Sequence, residues 1–158
     1  MFYRIKKIFK NYLSKKIPLS KHVYPIDLDE CFQNERLLKK FSKMNLENIF
    51  SLMETDKACV AHRVFWHPKK KKNYRKIFLT HGYASYYENF FLNKRQSVNK
   101  IIEIGAMSGA SAGALAIYFP NAIVYSFDIN YERNKLHSSR IKKLIIDQTN
   151  TSQIDQFI

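Results

Sequence analysis

Several features that mark particular protein classes are missing from this sequence. It has no run of 18 apolar residues, so we expect no membrane span. The N-terminal MFYRIKKIFKNYL carries charges throughout and lacks the apolar core of a secretory signal. The cysteines are only two, Cys31 and Cys59, and they form neither a CxxC pair nor a Cys/His metal pattern. These absences predict a cytoplasmic protein with free thiols and no metal site.

Acidic residues are scarce in one part of the chain. Positions 1–98 hold 21 Lys and Arg against 8 Asp and Glu, whereas positions 99–158 hold 6 against 5. The net charge of +14 therefore belongs to the N-terminal part. Basic segments can serve nucleic acid, phosphates or acidic lipid, but a Lys- and Asn-rich coding bias with solvated lysines gives the same composition. Because no nucleic-acid motif accompanies the charge, we expect no specific nucleic-acid partner.

What the chain does contain is enough apolar material for a folded core. Its 158 residues suffice for one domain and are marginal for two, and 12 Phe and 10 Tyr argue against disorder. Residues 1–20 have the spacing of a short basic amphipathic helix, which would pack on its own domain or lie on an anionic membrane. Residues 27–53 and 83–97 read as helical, the former in one or two pieces. Residues 54–82 read as a loop, including the solvated run Lys69–Lys72.

The pattern changes after Ser97. Short apolar segments at 98–105, 122–127 and 141–146 read as strands, and they alternate with helical segments at 109–118 and 130–139. This is the βαβαβ order of an α/β protein with a Rossmann-like, doubly wound parallel sheet. We therefore predict a basic, mainly helical N-terminal region at 1–97, followed by a partial Rossmann-like, cofactor-binding domain at 98–158.

The first two predicted strands end in residues suited to binding a nucleoside. Gly105 ends the first strand, where a glycine lets the backbone turn sharply and approach a ligand. Asp128 ends the second strand, where a carboxylate can accept hydrogen bonds from ribose hydroxyls. A dinucleotide fingerprint requires a second glycine where Met107 stands. The spacing instead is E-x-G-x-x-x-G, from Glu103 to Gly109.

That spacing resembles the first motif of class I S-adenosylmethionine-dependent methyltransferases. Over residues 54–158 the chain also resembles the sugar O-methyltransferases related to the macrocin and mycinamicin enzymes. The motifs that carry this likeness are, in order, Thr55-Asp56-Lys57, His81-Gly82-Tyr83, Tyr87-Glu88 with Phe91, EIG, FPNA from Phe119 to Ala122, Tyr125, Asp128-Ile129 and Asp147-Gln148. The resemblance implies S-adenosylmethionine as cofactor and a small-molecule acceptor, a sugar hydroxyl.

The resemblance also implies roles for particular residues. Gly105 and its neighbours Glu103 and Ala106 would line the methionine part of the cofactor. Asp128, followed by Ile129, would hold the ribose, and Asp147 with Gln148 would lie beside the adenine. A lid over cofactor or substrate would contain four residues, Thr55, Lys57, His81 and Tyr83. Structural alternatives stay open, since Glu103 can simply brace the turn, His81 can be an ordinary loop residue and Lys57 can be solvated.

The sequence also departs from the resembling family. That family has a later strand ending in D-D-G-S-H, which supplies Mg²⁺ ligands, and this chain contains no DD pair. It supplies strands one to three of the usual seven, so Ile101, Ile102 and Ile104 of strand one would lack a neighbour on one side. These departures predict a truncated N-terminal half with no assigned catalytic residue, needing a C-terminal half or oligomer partner. The alternative is a non-catalytic nucleotide-binding remnant or a basic interaction module.

Overall fold

The computed structural model describes residues 26–58, 60–67, 72–79, 81–134 and 136–157. Its helices and strands alternate over the second half of the chain, as in an α/β protein. In chain order they are β1 (Ile26–Asp27), α1 (Asp29–Phe32), α2 (Glu35–Ser42), α3 (Leu46–Leu52), β2 (Val60–His67), β3 (Lys72–Leu79), α4 (Tyr83–Phe91), a 3-10 turn (Leu92–Lys94), β4 (Lys100–Ile104), α5 (Ala110–Tyr118), β5 (Ile123–Asp128), β6 (Leu136–His137), β7 (Ile141–Ile145) and α6 (Thr151–Asp155).

A three-stranded parallel sheet organises the described residues. Its order is β4-β5-β7, with β5 in the centre. The register places Ile104 beside Phe127, and Asp128 beside Ile145. All three strands therefore end at the same edge of the sheet, as parallel βαβ units require. The predicted Rossmann-like α/β fold is confirmed.

The core forms where α5 packs between this sheet and the N-terminal helices. Every residue of α5 from Ser111 to Tyr118 is buried. Gly113 allows the closest approach, because a Cβ there would lie 2.6 Å from Leu136 Cδ1 and 2.8 Å from Met53 Cε. One hydrophobic cluster thus unites residues from both sides of position 97. The division at 97/98 into two domains stays a prediction.

Arg95 ties the ends of two helices together. Its guanidinium donates hydrogen bonds of 2.8–3.2 Å to four carbonyls, those of Phe41, Ser42, Met44 and Tyr118. The carbonyls at a helix C-terminus have no partner within the helix, and a cation there also suits the helix dipole. Arg95 therefore fixes the end of α2 against the end of α5.

The segment 54–82 was expected to be a loop, and that expectation is wrong. Strands β2 and β3 pair there as an antiparallel hairpin, with Val60 opposite Leu79 and His67 opposite Lys72. The segment is rich in the β-branched and aromatic residues that favour strands, and its many charges obscured that pattern. Of the run Lys69–Lys72, only Lys72 lies within the described residues.

The expected helix at 130–139 is also wrong. In the described part of this segment the chain forms turns and the short strand β6, which pairs in parallel with β1. Two asparagines bond to nearby backbone amides, since Asn130 Oδ1 accepts from Glu132 N at 3.4 Å and Asn134 Oδ1 accepts from Leu136 N at 3.0 Å. Such local bonds compete with helix formation.

The helical expectation for 27–53 is confirmed, with three short helices rather than one or two. Asn34 and Asn45 interrupt the segment because each accepts a hydrogen bond from an amide in the first turn of the next helix, at 3.2 and 2.8 Å. The helix at 83–97 ends at Phe91 and continues as the 3-10 turn. The amphipathic helix predicted for 1–20 lies outside the described residues.

Strand β4 forms one border of the sheet in the described chain. Its only partner there is β5, and Ile102 and Ile104 are 53% and 55% exposed. This agrees with the expectation that the isoleucines of strand one lack a neighbour on one side. Among the helices described, none has the length and apolar character needed to cross a membrane.

Candidate functional site

The turn after β4 brings backbone amides to the edge of the sheet. Gly105 has φ +82°, a left-handed conformation that glycine adopts without strain. The amides of Gly105 and Ala106 both donate to the carbonyl of Phe127, at 2.9 and 3.3 Å. A Cβ placed on Gly105 would meet no atom within 4 Å, so the turn is open to solvent. The structure therefore leaves open space beside the backbone at this turn.

Asp128 lies at the end of β5 and faces this turn. Its Oδ2 accepts a hydrogen bond from the amide of Met107 at 2.6 Å, and its Oδ1 accepts from Asn130 N at 3.4 Å. Met107 has φ +45°, which is uncommon for a residue other than glycine. Sequence reasoning treated Met107 only as a replaced glycine and missed this contact. Carboxylate oxygens have several lone pairs, so Asp128 can still accept bonds from a ligand.

Glu103 is buried on β4, two residues before the turn. The Ser111 hydroxyl, in the first turn of α5, donates a hydrogen bond to Glu103 Oε1, and Lys57 Nζ lies 3.4 Å from the same oxygen. Burial raises the pKa of Glu103 to about 7, and the nearby Lys57 ammonium offsets only part of this effect. Within the described chain, the buried Glu103 Oε2 has no hydrogen-bond partner. Glu103 thus links β4 to α5 and to Lys57, and its second oxygen is an acceptor without a partner among the described residues.

Lys57 reaches this edge because two of the predicted motifs are held together by their backbones. The amide of His81 donates to the Asp56 carbonyl at 2.9 Å, and that of Ala84 donates to the Lys57 carbonyl at 3.0 Å. The side chain of Thr55 accepts from the amide of Lys57 at 3.1 Å. The hairpin β2–β3 accounts for the residues between the two motifs. The predicted lid residues therefore meet, and Lys57 joins them to the sheet.

His81 and Tyr83 form the exposed end of an aromatic row. Their rings stack with centroids 5.3 Å apart, and Tyr83 is followed by Tyr87 at 6.1 Å. Nε2 of His81 lies 3.7 Å from Asp56 Oδ2, and both side chains are more than half exposed. Asp56 was quoted only as part of a motif, so its contact with His81 adds to the sequence prediction.

The remaining predicted residues follow the strands further along the same edge. Ile129 comes directly after Asp128 and is 65% exposed. Asp147 and Gln148 follow β7 and are exposed. Hydrogen bonds from the amide and hydroxyl of Thr149, at 2.9 and 2.7 Å, lower the pKa of Asp147. Asp147 therefore binds its own turn, one strand beyond Asp128.

Ser111 is a buried polar residue beside Glu103 that sequence reasoning missed. It lies in the stretch GASAGALAIY, where small residues indicated only a permissive helix. Its partner Glu103 lies eight positions earlier on another element, so no local spacing reveals the pair. In the part of the chain that the structure describes, no three His, Cys, Asp or Glu side chains are grouped as metal ligands.

Comparison with known proteins gives structural matches alone. Neither a protein-family model nor a curated protein sequence matches the chain. Among solved structures, it is similar to MycE methyltransferase from the mycinamycin biosynthetic pathway in complex with Mg and SAH, with a TM-score of 0.51 and 20% identity over 73% of this chain and 26% of that one. The complex with Mg, SAH and mycinamycin VI gives a TM-score of 0.52 and 20% identity over 73% of this chain and 28% of that one.

These matches establish the fold. The chain has a Rossmann-like fold similar to that of these methyltransferase structures, and it spans about a quarter of their length. Gly105, Asp128 and Asp147, which the sequence analysis singled out, lie at the ends of β4, β5 and β7 at one edge of the sheet.

Proposed function

We propose that this chain binds S-adenosylmethionine and contributes the cofactor site of an O-methyltransferase. The main observation behind this proposal is that three features lie together at the carboxyl edge of a parallel sheet. They are the Gly105 turn, Asp128 and the Lys57–Glu103 pair. Open α/β sheets bind ligands at this edge. The likeness to SAH-bound methyltransferase structures supports this choice of ligand.

The available groups suit the parts of that cofactor. The open Gly105 turn leaves space beside the backbone, and the buried Glu103 Oε2 is an acceptor without a partner among the described residues, fitting an ammonium or hydroxyl donor. Asp128 would accept from the ribose hydroxyls, and Lys57 would offer a cation to a carboxylate. Asp147 and Gln148 would lie beside the adenine, and Thr55, His81 and Tyr83 would cover the site. When bound, the cofactor supplies an electrophilic methyl group on sulfur.

The acceptor in this proposal is a small molecule with a free sugar hydroxyl. The support is the motif resemblance and the mycinamycin VI complex among the matching structures. The described residues do not form a Mg²⁺ site, because they contain no group of three potential ligands. The residues that activate the acceptor are therefore not assigned, and a C-terminal half or an oligomer partner is proposed to complete the acceptor side.

The test is titration calorimetry of the full chain with S-adenosylhomocysteine. The variant D128A removes the charged acceptor, whose hydrogen bonds contribute about 1.5–3 kcal/mol, so affinity should fall about 10- to 150-fold. The matched control D155N removes a carboxylate from the exposed end of α6 and should bind as the wild type does. Equal affinity of D128A and wild type would contradict the role of Asp128.

A second titration separates this proposal from a nucleotide-binding remnant. Adenosine and ATP contain the adenine and ribose but lack the amino-acid part that Glu103 and Lys57 would recognise. Tighter binding of S-adenosylhomocysteine than of either competitor supports the methyltransferase site. Tighter binding of ATP would favour the remnant.

A further inference from the structure

One charged side chain at the candidate site is buried without full compensation. Glu103 is 6% exposed, and its Oε1 accepts a hydrogen bond from the Ser111 hydroxyl and lies 3.4 Å from Lys57 Nζ. Its Oε2 is also buried, but it has no hydrogen-bond partner among the residues that the structure describes. A buried carboxylate with an unpaired oxygen is costly to keep ionised. Glu103 is therefore suited to a further hydrogen-bond donor, above all a cationic one.

The charged groups around Glu103 come from two other segments of the chain. From the segment before β2, Lys57 favours the ionised carboxylate and Asp56 opposes it. From the end of β5, Asp128 also opposes it, and Tyr131 on the following turn interacts with Glu103 as well. Helix α5, which packs against β4, has no charged residue. One cation thus faces two carboxylates and the cost of burial, so the pKa of Glu103 rises to about 7.

A ligand with an amino-acid end would change this balance of charge. Its ammonium can donate to Glu103 Oε2, and its carboxylate can accept from Lys57, whose side chain is 20% exposed. Hydrogen bonds between such charged groups are about twice as strong as neutral ones. Glu103 would then face two cations rather than one, which favours its ionised form and lowers its pKa.

We propose that the amino-acid end of the cofactor expels the proton from Glu103 when it binds between Glu103 and Lys57, which rests on the proposed function above. The proton passes from the Glu103 carboxyl to the solvent, and the carboxylate that remains accepts from the ligand ammonium. Ligand and proton therefore compete, so affinity is full above about pH 7 and falls as the pH drops below it. A nucleoside without the amino-acid end takes no part in this exchange.

The measurement is titration calorimetry of the full chain with S-adenosylhomocysteine at pH 7 in PIPES and in Tris, whose heats of ionisation differ. The buffer takes up each released proton, so the difference between the two binding enthalpies gives the number released. Because the pKa of Glu103 is about 7, about half a proton should be released per ligand at pH 7. The Kd should be about tenfold lower at pH 8 than at pH 6. Adenosine, which lacks the amino-acid end, should release no proton.

Matched variants assign the proton to one side chain. E103Q keeps the shape of the protonated acid but has no proton to release, so its binding enthalpy should be equal in the two buffers. E132Q changes an exposed glutamate on the turn after β5 and should release the proton as the wild type does. Release that persists in E103Q would assign the proton to another group, such as the exposed His81, and would overturn the inference.

The outcomes keep this inference apart from the proposed function. If S-adenosylhomocysteine binds with equal enthalpy in the two buffers and equal affinity from pH 6 to pH 8, the proton exchange is wrong and the cofactor site stands. If it binds at none of these pH values, the proposed function is wrong, and this inference with it. Should E103Q bind too weakly for calorimetry, the wild type decides, since adenosine with the same pH dependence as S-adenosylhomocysteine would contradict a role of the amino-acid end.

Discussion

Protonation of Glu103 should make the stability of this protein depend on pH in an unusual direction. The pKa of Glu103 is raised from 4.5 to about 7 by burial, despite the Lys57 ammonium 3.4 Å away. Between these two pH values the folded chain holds a proton that the unfolded chain has released. Stability from this group is therefore fully present below about pH 4.5 and is lost as the pH rises through about 7. Most surface carboxylates act in the opposite sense.

The size of the effect follows from linkage. With these two pKa values, the free energy of unfolding should fall by about 2–3 kcal/mol between pH 5 and pH 8 from this group alone. For a chain of this length that equals about 5–10 °C in Tm. The variant E103Q keeps the shape of the protonated acid and cannot ionise, so it should lack this loss.

The assay is urea unfolding of wild type and E103Q at pH 5, 6, 7 and 8, followed by circular dichroism. The difference in free energy of unfolding between the two cancels the contributions of all ionisable groups that the two proteins share. Relative to wild type, E103Q should gain about 2–3 kcal/mol in free energy of unfolding as the pH rises from 5 to 8. The control E132Q, at an exposed turn, should track the wild type. A pH-independent difference would refute the reasoning and show that Glu103 stays ionised beside Lys57.

Three further changes test the contacts that support the site. Replacing Arg95 with Met leaves four carbonyls at the ends of α2 and α5 without their donor, so the free energy of unfolding should fall by about 2–4 kcal/mol in urea melts; an unchanged midpoint would show that water replaces it. Gly109→Ala should destabilise by about 1–3 kcal/mol, because φ is +78° and the new Cβ would lie 2.5 Å from Asn134 Nδ2; Gly82→Ala, with φ +67° and open space, should cost less. Burial alone would raise the pKa of Asp29, but hydrogen bonds from Ser138 and Ser139 lower it below 3.8. Its contribution is lost only as the pH falls below that value, so Asp29→Asn should flatten the acid limb of a Tm-versus-pH curve, and an unchanged limb would contradict this.

The parallel sheet and its carboxyl edge were predictable because their signals are local. Each of the three strands is a short apolar run followed by Gly105, Asp128 or Asp147. Parallel strands that alternate with helices must end at the same edge, so placing these residues together required no knowledge of packing. The glycine turn and the carboxylate therefore followed from sequence order alone.

The hairpin and the buried pair were harder to predict because they depend on contacts distant in sequence. The charges of 58–80 suggested a solvated loop, and only the pairing of Val60 with Leu79 reveals two strands. Ser111 lies in a stretch of small residues that gives no sign of a polar contact, and only the packing of α5 places it beside Glu103. At 130–139, the side chains of Asn130 and Asn134 accept hydrogen bonds from nearby backbone amides. These bonds compete with the helix that the sequence pattern predicted. In each case tertiary or local polar bonds outweighed the periodicity.

The Lys57–Glu103 contact joins the N-terminal region to the edge of the parallel sheet. Lys57 belongs to a segment held to His81 and Ala84 by backbone hydrogen bonds, and the same segment leads into the hairpin. Glu103 belongs to the sheet and is buried against α5. A ligand that changes the charge of Glu103 therefore acts directly on Lys57, the residue next to the base of the hairpin. The Lys57–Glu103 ion pair therefore lies where the segment before β2 meets the parallel sheet, and both residues belong to the proposed donor site.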